Sequence, residues 1–342
     1  MNTSPVLAAL AFHVPPNVVS NDDLGRENPD WDMSRIEGKV GVRQRHVAAH
    51  AECSSDLAFQ AACKLLDTTG IERASIDALL FCTQSPDYFL PTTACVLQDR
   101  LGLGTHVAAL DFNQGCSGYV YGLVLARALI CAGSARNVLL LNGETYSRMI
   151  HPRDRTVRVL FGDAGSATLI RADGAGAALG PARLGTDGSG FRSLIVPAGA
   201  FRQPRDAETR RTEVDPHGCE RSAENLFMDG QAITAFAMSR VPDLVRDVLA
   251  DADLGMADID WFVFHQANAF MNERLRMRLG IPAERMPLAL RDYGNTVGNT
   301  VPIVLREHGA RFRPLDRVLL VGFGVGYSWG AMLLHWGEVA LI

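Results

Sequence analysis

The sequence predicts an α/β protein made of two similar halves. Short apolar runs, which are typical of buried strands, alternate with longer segments whose apolar residues recur at helical spacing. Three segments of the first half return in the same order in the second half, which indicates an internal duplication. The chain has 342 residues, 47% of them hydrophobic, and is therefore long enough to bury a large core in both halves.

The repeated segments keep a nearly constant separation along the chain. The strand-like run that starts at Ile76 returns at Ile259. The next helix of each half ends in Arg-Leu-Gly, at positions 100–102 and 278–280, and the apolar run at Val138 returns at Val318. Single matches between apolar strands arise by chance, but three matches in one order and at one spacing favour a duplication.

The elements of each half follow from the same patterns. We predict strands at 6–12, 76–82, 107–112, 138–141 and within 161–170, and helices at 56–69, 92–101 and from the residues after Cys116 to Cys131. Residues 173–224 are rich in Gly, Pro, Arg and charge, which predicts a connecting region with surface loops. The expected division is therefore an N-terminal half at 1–172, the connecting region at 173–224 and a C-terminal half at 225–342.

Composition argues against several classes of protein. The net charge of -5 disfavours nucleic acid as the main partner, and no apolar run approaches the ~20 residues that span a membrane. The N-terminus lacks the basic and apolar regions of a secretory signal. The seven cysteines are an odd number without Cys-x-x-Cys spacing, which is typical of reduced thiols and not of a disulfide framework or a zinc site. We therefore expect a cytoplasmic protein with no metal.

Cys116 is the first candidate for chemistry. It follows the apolar run 107–112, predicted to be a buried strand, and lies at the turn into the next predicted helix. Free backbone N–H groups and the positive end of the helix dipole would favour its thiolate there. The alternative is that Cys116 is one more small core residue, because free cysteines are often buried. This stretch alone does not decide between the two.

The second half supplies a possible base and a possible amide donor. His265 ends an apolar strand, where catalytic groups collect in α/β folds, and a histidine exchanges protons near neutral pH. Asn295 lies in a glycine-bracketed loop, and its amide could donate to a developing oxyanion. The glycines around Val325 would let backbone N–H groups approach a ligand. Each signal by itself has a simpler explanation: a core histidine, a turn or a tight loop.

Taken together, these motifs resemble those of β-ketoacyl-[acyl carrier protein] synthase III, a family of the thiolase superfamily. They occur in the family's order as Gly-Cys116-Ser-Gly, His265-Gln-Ala-Asn268, Gly-Asn295-Thr and Gly-Phe-Gly-Val325-Gly-Tyr-Ser-Trp-Gly. The likeness covers essentially the whole chain and includes residues 41–46, 161–167 and 228–230. It implies the thiolase fold, in which two duplicated halves with pseudo-twofold symmetry form five alternating layers, α-β-α-β-α. It also implies a homodimer with one active site per subunit.

The resemblance implies a two-stage reaction. An acyl-CoA, or another acyl thioester, acylates Cys116; malonyl on an acyl carrier protein then loses carbon dioxide, and the enolate attacks the acyl-cysteine to give a β-ketoacyl thioester. His265 and Asn295 would donate hydrogen bonds to the malonyl thioester carbonyl, and the family's spacing between these two positions selects Asn295 over Asn299. The backbone N–H groups of Cys116 and Val325 would form the oxyanion hole. No cofactor is implied, because acyl-CoA is a substrate.

Contacts with CoA and substrate are implied for Arg35, Leu90, Arg148, Gly230, Asn268 and Phe270. Arg148 matches an arginine that lies on one face of the adenine in the family. Three positions depart from the family pattern: Arg35 replaces the tryptophan on the other face of the adenine, and Phe270 replaces an arginine that helps to bind the carrier or CoA. Leu90 stands at the position of a bulky gate residue that the partner subunit provides, so we expect a different acyl pocket.

Other functions share parts of this pattern. A thiolase-fold acyltransferase could pass the Cys116 acyl group to an alcohol or amine, but the retained Asn295 weighs against it, because that amide holds the enolate oxygen. A papain-like hydrolase also uses Cys, His and Asn in this order, but the Cys-x-x-Cys-Trp signature is absent. A degenerate, non-enzymatic subunit would not keep all three groups. Among condensing enzymes, the departures favour a specialised polyketide or lipid-like pathway over fatty-acid initiation from acetyl-CoA.

Overall fold

The computed structural model describes residues 4–216 and 218–342. Its strands are β1 (Val6–His13), β2 (Val18–Ser20), β3 (Gln44–His46), β4 (Ala78–Cys82), β5 (Ala108–Phe112), β6 (Asn137–Glu144), β7 (Ala164–Arg171), β8 (Ala177–Thr186), β9 (Leu194–Ile195), β10 (Glu213–Val214), β11 (Glu220–Arg221), β12 (Phe227–Met228), β13 (Trp261–Phe264), β14 (Arg317–Gly324), β15 (Ser328–His335) and β16 (Ala340–Leu341). Its α-helices are α1 (Asn21–Glu27), α2 (Ile36–Val40), α3 (Ser54–Thr69), α4 (Thr93–Arg100), α5 (Gly118–Cys131), α6 (Arg155–Arg158), α7 (Gly230–Asp251), α8 (Ala269–Leu279), α9 (Leu290–Tyr293) and α10 (Thr300–His308).

The order of the strands repeats between the halves. It is β5-β4-β6-β7-β1 in the N-terminal half and β13-β14-β15-β8 in the C-terminal half. In both, a parallel pair, β4–β6 or β13–β14, is followed by two antiparallel pairs. Two residue pairs between β1 and β8 join the half-sheets. The predicted duplication is therefore confirmed in the topology.

The helices lie at three levels relative to the two half-sheets. Helix α3 packs on β1, β6 and β7 outside the N-terminal half-sheet, and α7 packs on β8, β14 and β15 outside the C-terminal one. Helix α5 contacts strands of both half-sheets and lies between them. It approaches β6 so closely that a Cβ on Gly122 would lie 2.5 Å from Leu140 Cδ1. These levels form the predicted five layers, α-β-α-β-α.

Strand β5 differs from its prediction as a buried strand. It is an edge strand that pairs only with β4 among the described residues, and Leu110 in its middle is 40% exposed. The apolar composition of 107–112 does not distinguish a strand buried within one chain from an apolar strand at an uncovered edge. Within a single copy of the chain, the prediction that this strand is buried is therefore wrong.

Helix α3 begins at Ser54, two residues before the predicted start at Asp56. The Asp56 carboxylate accepts a hydrogen bond from the Cys53 backbone N–H at 2.8 Å, so Asp56 caps the helix from its third position. An acidic residue in the first turn and one at the cap look alike in the sequence, because both favour the helix N-terminus. Only the hydrogen bond seen in the structure distinguishes these two positions.

The predicted connecting region contains a strand of the C-terminal half-sheet. Strand β8 lies within 173–224 and pairs with β15 along most of its length. We therefore propose that the C-terminal half begins at β8, while the division at 172 and 225 stays a prediction. Residues 1–3 of the predicted N-terminal half and residue 217 of the connecting region lie outside the described residues. No helix in the described ranges is long and apolar enough to cross a membrane.

Candidate active site

Cys116 lies where the two halves meet. It precedes α5, whose N-cap is Ser117, and only 5% of it is exposed. Strand β14 of the other half runs against it: a Cβ on Gly324 would lie 2.9 Å from Cys116 Sγ, and one on Gly322 would lie 2.8 Å from Ser117 Cα. Any larger residue at either glycine would push the halves apart. These glycines therefore seat the C-terminal half directly against the candidate nucleophile.

Burial keeps the Cys116 thiol protonated. Burial raises the pKa of the Cys116 thiol to about 12, and the nearby Glu144 carboxyl adds to the shift. The backbone N–H groups of Val325 and Cys116 hydrogen-bond to the sulfur and oppose the shift, but they do not overcome burial. Backbone N–H groups thus favour the thiolate as expected, but burial outweighs them. Since α5 starts two residues after Cys116, the loss of water around the sulfur outweighs the dipole.

His265 follows β13 and is almost completely buried. Burial lowers the pKa of its imidazole from 6.5 to about 3, so the ring is neutral at physiological pH. Its Nδ1 lies 2.7 Å from Thr300 Oγ1, and that hydroxyl donates to the Val297 carbonyl at 3.1 Å. A hydroxyl has one proton, so in this arrangement Nδ1–H donates to Thr300 and Nε2 keeps a lone pair.

Asn295 is held with its amide in one orientation. Its Oδ1 accepts from the Val297 backbone N–H at 2.9 Å, and its Nδ2 donates to the Ala267 carbonyl at 3.3 Å. The second N–H of this amide remains for a ligand. Asn299 is different: its Nδ2 donates to the Ala164 carbonyl at 3.0 Å, and its Oδ1 accepts from a serine hydroxyl at 2.8 Å.

Cys116, His265 and Asn295 line one cavity of ≈ 60 Å³. The rest of the wall is mostly apolar and includes Leu160, Phe161, Leu194, Met228, Ile233 and Phe323. Hydrogen bonds from the three polar groups are strong in such surroundings, because little water competes for them.

Comparison with known proteins agrees with this geometry. The model of 3-oxoacyl-[acyl-carrier-protein (ACP)] synthase III matches residues 110–188, and the model of its C-terminal region matches residues 249–336. A β-ketoacyl-[acyl-carrier-protein] synthase III of Streptomyces coelicolor is 38% identical over 99% of both chains. The chain belongs to the β-ketoacyl-[acyl carrier protein] synthase III family.

Solved structures of synthase III enzymes have the same fold. One crystal structure of a 3-oxoacyl-(acyl-carrier-protein) synthase III has a TM-score of 0.94 at 44% identity and covers 97% of this chain and 100% of that chain. A 3-oxoacyl-(acyl-carrier protein) synthase from Burkholderia xenovorans has a TM-score of 0.91 at 38% identity and covers 99% of this chain and 96% of that chain. The predicted thiolase-like fold and the predicted family are therefore confirmed.

Two of the positions expected to contact CoA or substrate lie at the cavity of this synthase. Gly230 and Asn268 line it beside His265. Asn268 also has a structural role that the sequence did not reveal, because its Oδ1 accepts from the Met271 N–H at 2.8 Å and caps α8. A hydrogen bond from its side-chain amide to a ligand would leave this cap in place.

The other four predicted contact residues lie outside the cavity lining. Arg35 is exposed at the start of α2, and the exposed Arg148 donates to the backbone carbonyls of Ala49 and His50. Leu90 is 82% exposed at the tip of a loop. Phe270 is 53% exposed and packs against the Arg274 guanidinium, which lies 4.4 Å from its ring centroid. Their roles as contacts for CoA, carrier or partner stay predictions.

Sequence reasoning missed three buried hydroxyls around the candidate catalytic groups. Thr300 contacts the His265 ring, and Ser117 and Ser328 hydrogen-bond to each other beside Cys116. Ser328 belongs to the glycine-rich motif and Thr300 to the asparagine loop, so both were inside recognised motifs. Serine and threonine are common in loops, and only their burial against the reacting groups marks them.

Proposed function

We propose that the enzyme loads an acyl group from an acyl thioester onto Cys116 and condenses it with malonyl on an acyl carrier protein. Carbon dioxide is released and a β-ketoacyl thioester is formed. The observation that carries the proposal is that one cavity brings together a thiol, a neutral imidazole and an oriented amide. Membership of the synthase III family supports it.

In the loading step, the thiol needs a base because its pKa is about 12. The lone pair on His265 Nε2 can take the Cys116 proton while the sulfur attacks the thioester carbonyl carbon. The bond to the leaving sulfur then breaks, and the imidazolium returns the proton to the departing thiolate. The N–H groups of Cys116 and Val325 stabilise the oxyanion, and losing one such donor typically costs ~2.7–4 kcal/mol in barrier.

In the condensation step, the malonyl thioester carbonyl accepts from Asn295 Nδ2–H and from His265 Nε2–H. Donation from Nε2 needs the other tautomer, in which the ring proton is on Nε2 and not on Nδ1, and the Thr300 hydroxyl then donates to Nδ1 instead of to Val297. Both donors stabilise the enolate that is left when carbon dioxide departs. The enolate carbon attacks the acyl-cysteine, the bond to Cys116 Sγ breaks, and the thiolate takes a proton from water.

We also propose a homodimer located in the cytoplasm. Strand β5 is an edge strand of the sheet with Leu110 exposed, and such an edge can pair with a second copy. The loop residues Tyr88, Phe89 and Leu90 are at least 60% exposed, and such an apolar patch is typical of an interface. Leu90 would then reach the partner's acyl pocket. Leu110→Asp should convert the dimer to a monomer in light scattering, and an unchanged mass would contradict β5 as the interface.

Acyl-CoA and malonyl-ACP are proposed as substrates, without a metal or redox cofactor. Within residues 4–216 and 218–342, no group of three or more His, Cys, Asp and Glu side chains could hold a metal ion. The expectation that none is needed stays a prediction. Activity after dialysis against a chelator tests it.

Intact-protein mass spectrometry tests the proposed function. The enzyme is incubated with acetyl-, hexanoyl- and dodecanoyl-CoA, and malonyl-ACP is added in a second step. We expect one acyl adduct, which disappears with malonyl-ACP as the β-ketoacyl product appears. An adduct that malonyl-ACP does not discharge would instead indicate transfer to an alcohol or amine. A strong preference for acetyl-CoA would contradict the specialised pathway that Phe270 and Leu90 suggest.

A further inference from the structure

Two buried serines connect the start of α5 with the turn before β15. Ser117 Oγ lies 2.7 Å from Ser328 Oγ, and Ser328 Oγ lies 2.8 Å from the Val325 carbonyl oxygen. Ser117 is 0% exposed and Ser328 is 1% exposed, so water does not compete for these bonds. A carbonyl oxygen can only accept and each hydroxyl has one proton. Ser328 therefore donates to Val325, and Ser117 donates to Ser328.

These serines belong to the two segments that carry the oxyanion-hole donors. Ser117 directly follows Cys116, and Ser328 lies three residues after Val325. The two N–H donors thus come from different halves of the molecule. At their meeting point β14 approaches Cys116 and Ser117 through Gly322 and Gly324, which have no side chains to fix the separation. The serine pair supplies a directional link across this junction.

We propose that Ser117 and Ser328 are positioning residues that hold the Val325 N–H in register with the Cys116 N–H. This rests on the proposed function, because it presupposes the oxyanion hole. An oxyanion must lie about 2.7–3.1 Å from both donors, and a displacement of about 0.5 Å is enough to spoil such a site. By holding the Val325 carbonyl, Ser328 restricts rotation of the Val325 backbone, and Ser117 ties that turn to the nucleophile's own segment.

The two serines are expected to differ in effect. Ser328→Ala removes the bond to Val325 and leaves Ser117 without its acceptor, so self-acylation should slow by about 10²-fold, near the loss of a whole oxyanion donor. Ser117→Ala leaves the bond from Ser328 to Val325 in place and should slow it by about 10-fold. The double variant should resemble Ser328→Ala alone, because both serines act through one chain of bonds. Ser328→Thr keeps the hydroxyl and should restore most of the rate.

The test compares two partial reactions of the full-length enzyme. Rapid-quench kinetics with hexanoyl-CoA measure self-acylation, which needs the oxyanion hole. Release of carbon dioxide from malonyl-ACP without an acyl donor measures decarboxylation, which needs only His265 and Asn295. We expect Ser328→Ala to slow self-acylation and to leave decarboxylation within about twofold, since the serines do not contact those two donors. Equal losses in both reactions, or no rescue by Ser328→Thr, would overturn the inference.

A matched control comes from the same helix. The Tyr119 hydroxyl lies 3.2 Å from Thr168 Oγ1 of β7 and is equally buried, but its partner belongs to the N-terminal half and not to the turn at Val325. Tyr119→Phe should lower thermal stability without slowing self-acylation. If Ser328→Ala does not fold, Ser117→Ala must still show the selective loss. A wild-type enzyme that no acyl thioester acylates, whether CoA-bound or carrier-bound, contradicts the proposed function itself, whereas normal acylation of both serine variants contradicts only this inference.

Discussion

The ends of β4 and β13 occupy equivalent places in the two halves, yet they hold different kinds of group. The repeat that pairs Ile76 with Ile259 also puts Cys82 opposite His265. The Cys82 thiol donates to the Gln114 carbonyl at 3.0 Å, and a Cβ on Gly118 would overlap its sulfur, so Cys82 is packed beneath the start of α5. His265 instead borders the cavity. An equivalent place in the fold therefore does not make a residue reactive. The element that packs over the strand end determines whether the residue there borders the cavity.

The helices that cover these two strand ends complete the comparison. Helix α5 begins just after Cys116 and closes over Cys82, whereas α10 begins at Thr300, whose hydroxyl contacts the ring of His265. The duplicated architecture thus places a nucleophile at one helix start and the partner of a base at the other. The C-terminal strand end borders the cavity through His265, whereas α5 covers the N-terminal strand end.

The largest expected effect distinguishes the reactive Cys116 from the packed Cys82. Cys116→Ala should abolish self-acylation, because it removes the only thiol proposed to attack, and it should leave the fold intact. Cys82→Ala should acylate at close to the wild-type rate and lose a little thermal stability, since it removes one buried atom from a packed site. Intact mass and melting curves measure both. Labelling of Cys116→Ala by acyl-CoA would show that the nucleophile is another residue.

The second-largest expected effect distinguishes the roles of Asn295 and Asn299, the two asparagines of one loop. Asn295→Ala should slow decarboxylation of malonyl-ACP by about 10²–10³-fold, the usual cost of one donor to a developing anion. Asn299→Ala should chiefly destabilise the fold, by about 1–3 kcal/mol, because it leaves buried partners such as the Ala164 carbonyl unpaired. Carbon dioxide release and chemical denaturation distinguish the outcomes. A slow reaction in stable Asn299→Ala would reverse the assignment.

A smaller effect is expected at Thr300, the residue that distinguishes the covering helices. Thr300→Val keeps the shape of the side chain but can neither accept from nor donate to His265 Nδ1, so the ring loses the partner that orients Nε2 towards the cavity. Decarboxylation should fall by about 10-fold, the effect of roughly 1.4 kcal/mol. Thr300→Ser should stay close to wild type. Equal rates for the Val and Ser variants would show that the hydroxyl does not act on the ring.

The smallest expected effect is a change in how folding stability depends on pH, and it comes from the buried imidazole of His265. In the unfolded chain His265 gains a proton below its ordinary pKa of 6.5, but in the folded protein it stays neutral down to about 3. Between pH 6.5 and about 3 the unfolded state therefore binds more protons than the folded state. The contribution of His265 then lowers the free energy of unfolding as pH falls, by up to about 1.4 kcal/mol per pH unit.

His265→Gln isolates the contribution of His265 to the pH dependence of stability, because the substitution removes the imidazole and leaves the other buried groups in place. Its free energy of unfolding, measured in urea between pH 4.5 and 7, should depend less steeply on pH than that of the wild type. Raised pKa values of the Glu144 and Asp163 carboxyls, both caused mainly by burial, are common to the two proteins and cancel in the difference. Parallel pH profiles would contradict a neutral, buried His265.

Several features of the synthase could be predicted because they depend on residues close in sequence. Strand and helix patterns located β4 and α3 to within two residues, and motif spacing brought Cys116, His265 and Asn295 together as candidates before any fold was known. The edge position of β5 could not be predicted in this way. Apolar side chains favour a strand, but which neighbour covers them depends on the arrangement of the sheet.

The sequence by itself determined the duplicated α/β fold, the family and the three candidate catalytic residues, because periodicity and motif order are properties of the linear chain. Only the tertiary structure decided the chemistry of their surroundings. It keeps the Cys116 thiol protonated and His265 neutral, it packs Cys82 away, and it joins Ser117 to the distant Ser328. Loss of water and hydrogen bonds between the halves cause these effects, and both depend on which distant segments come into contact.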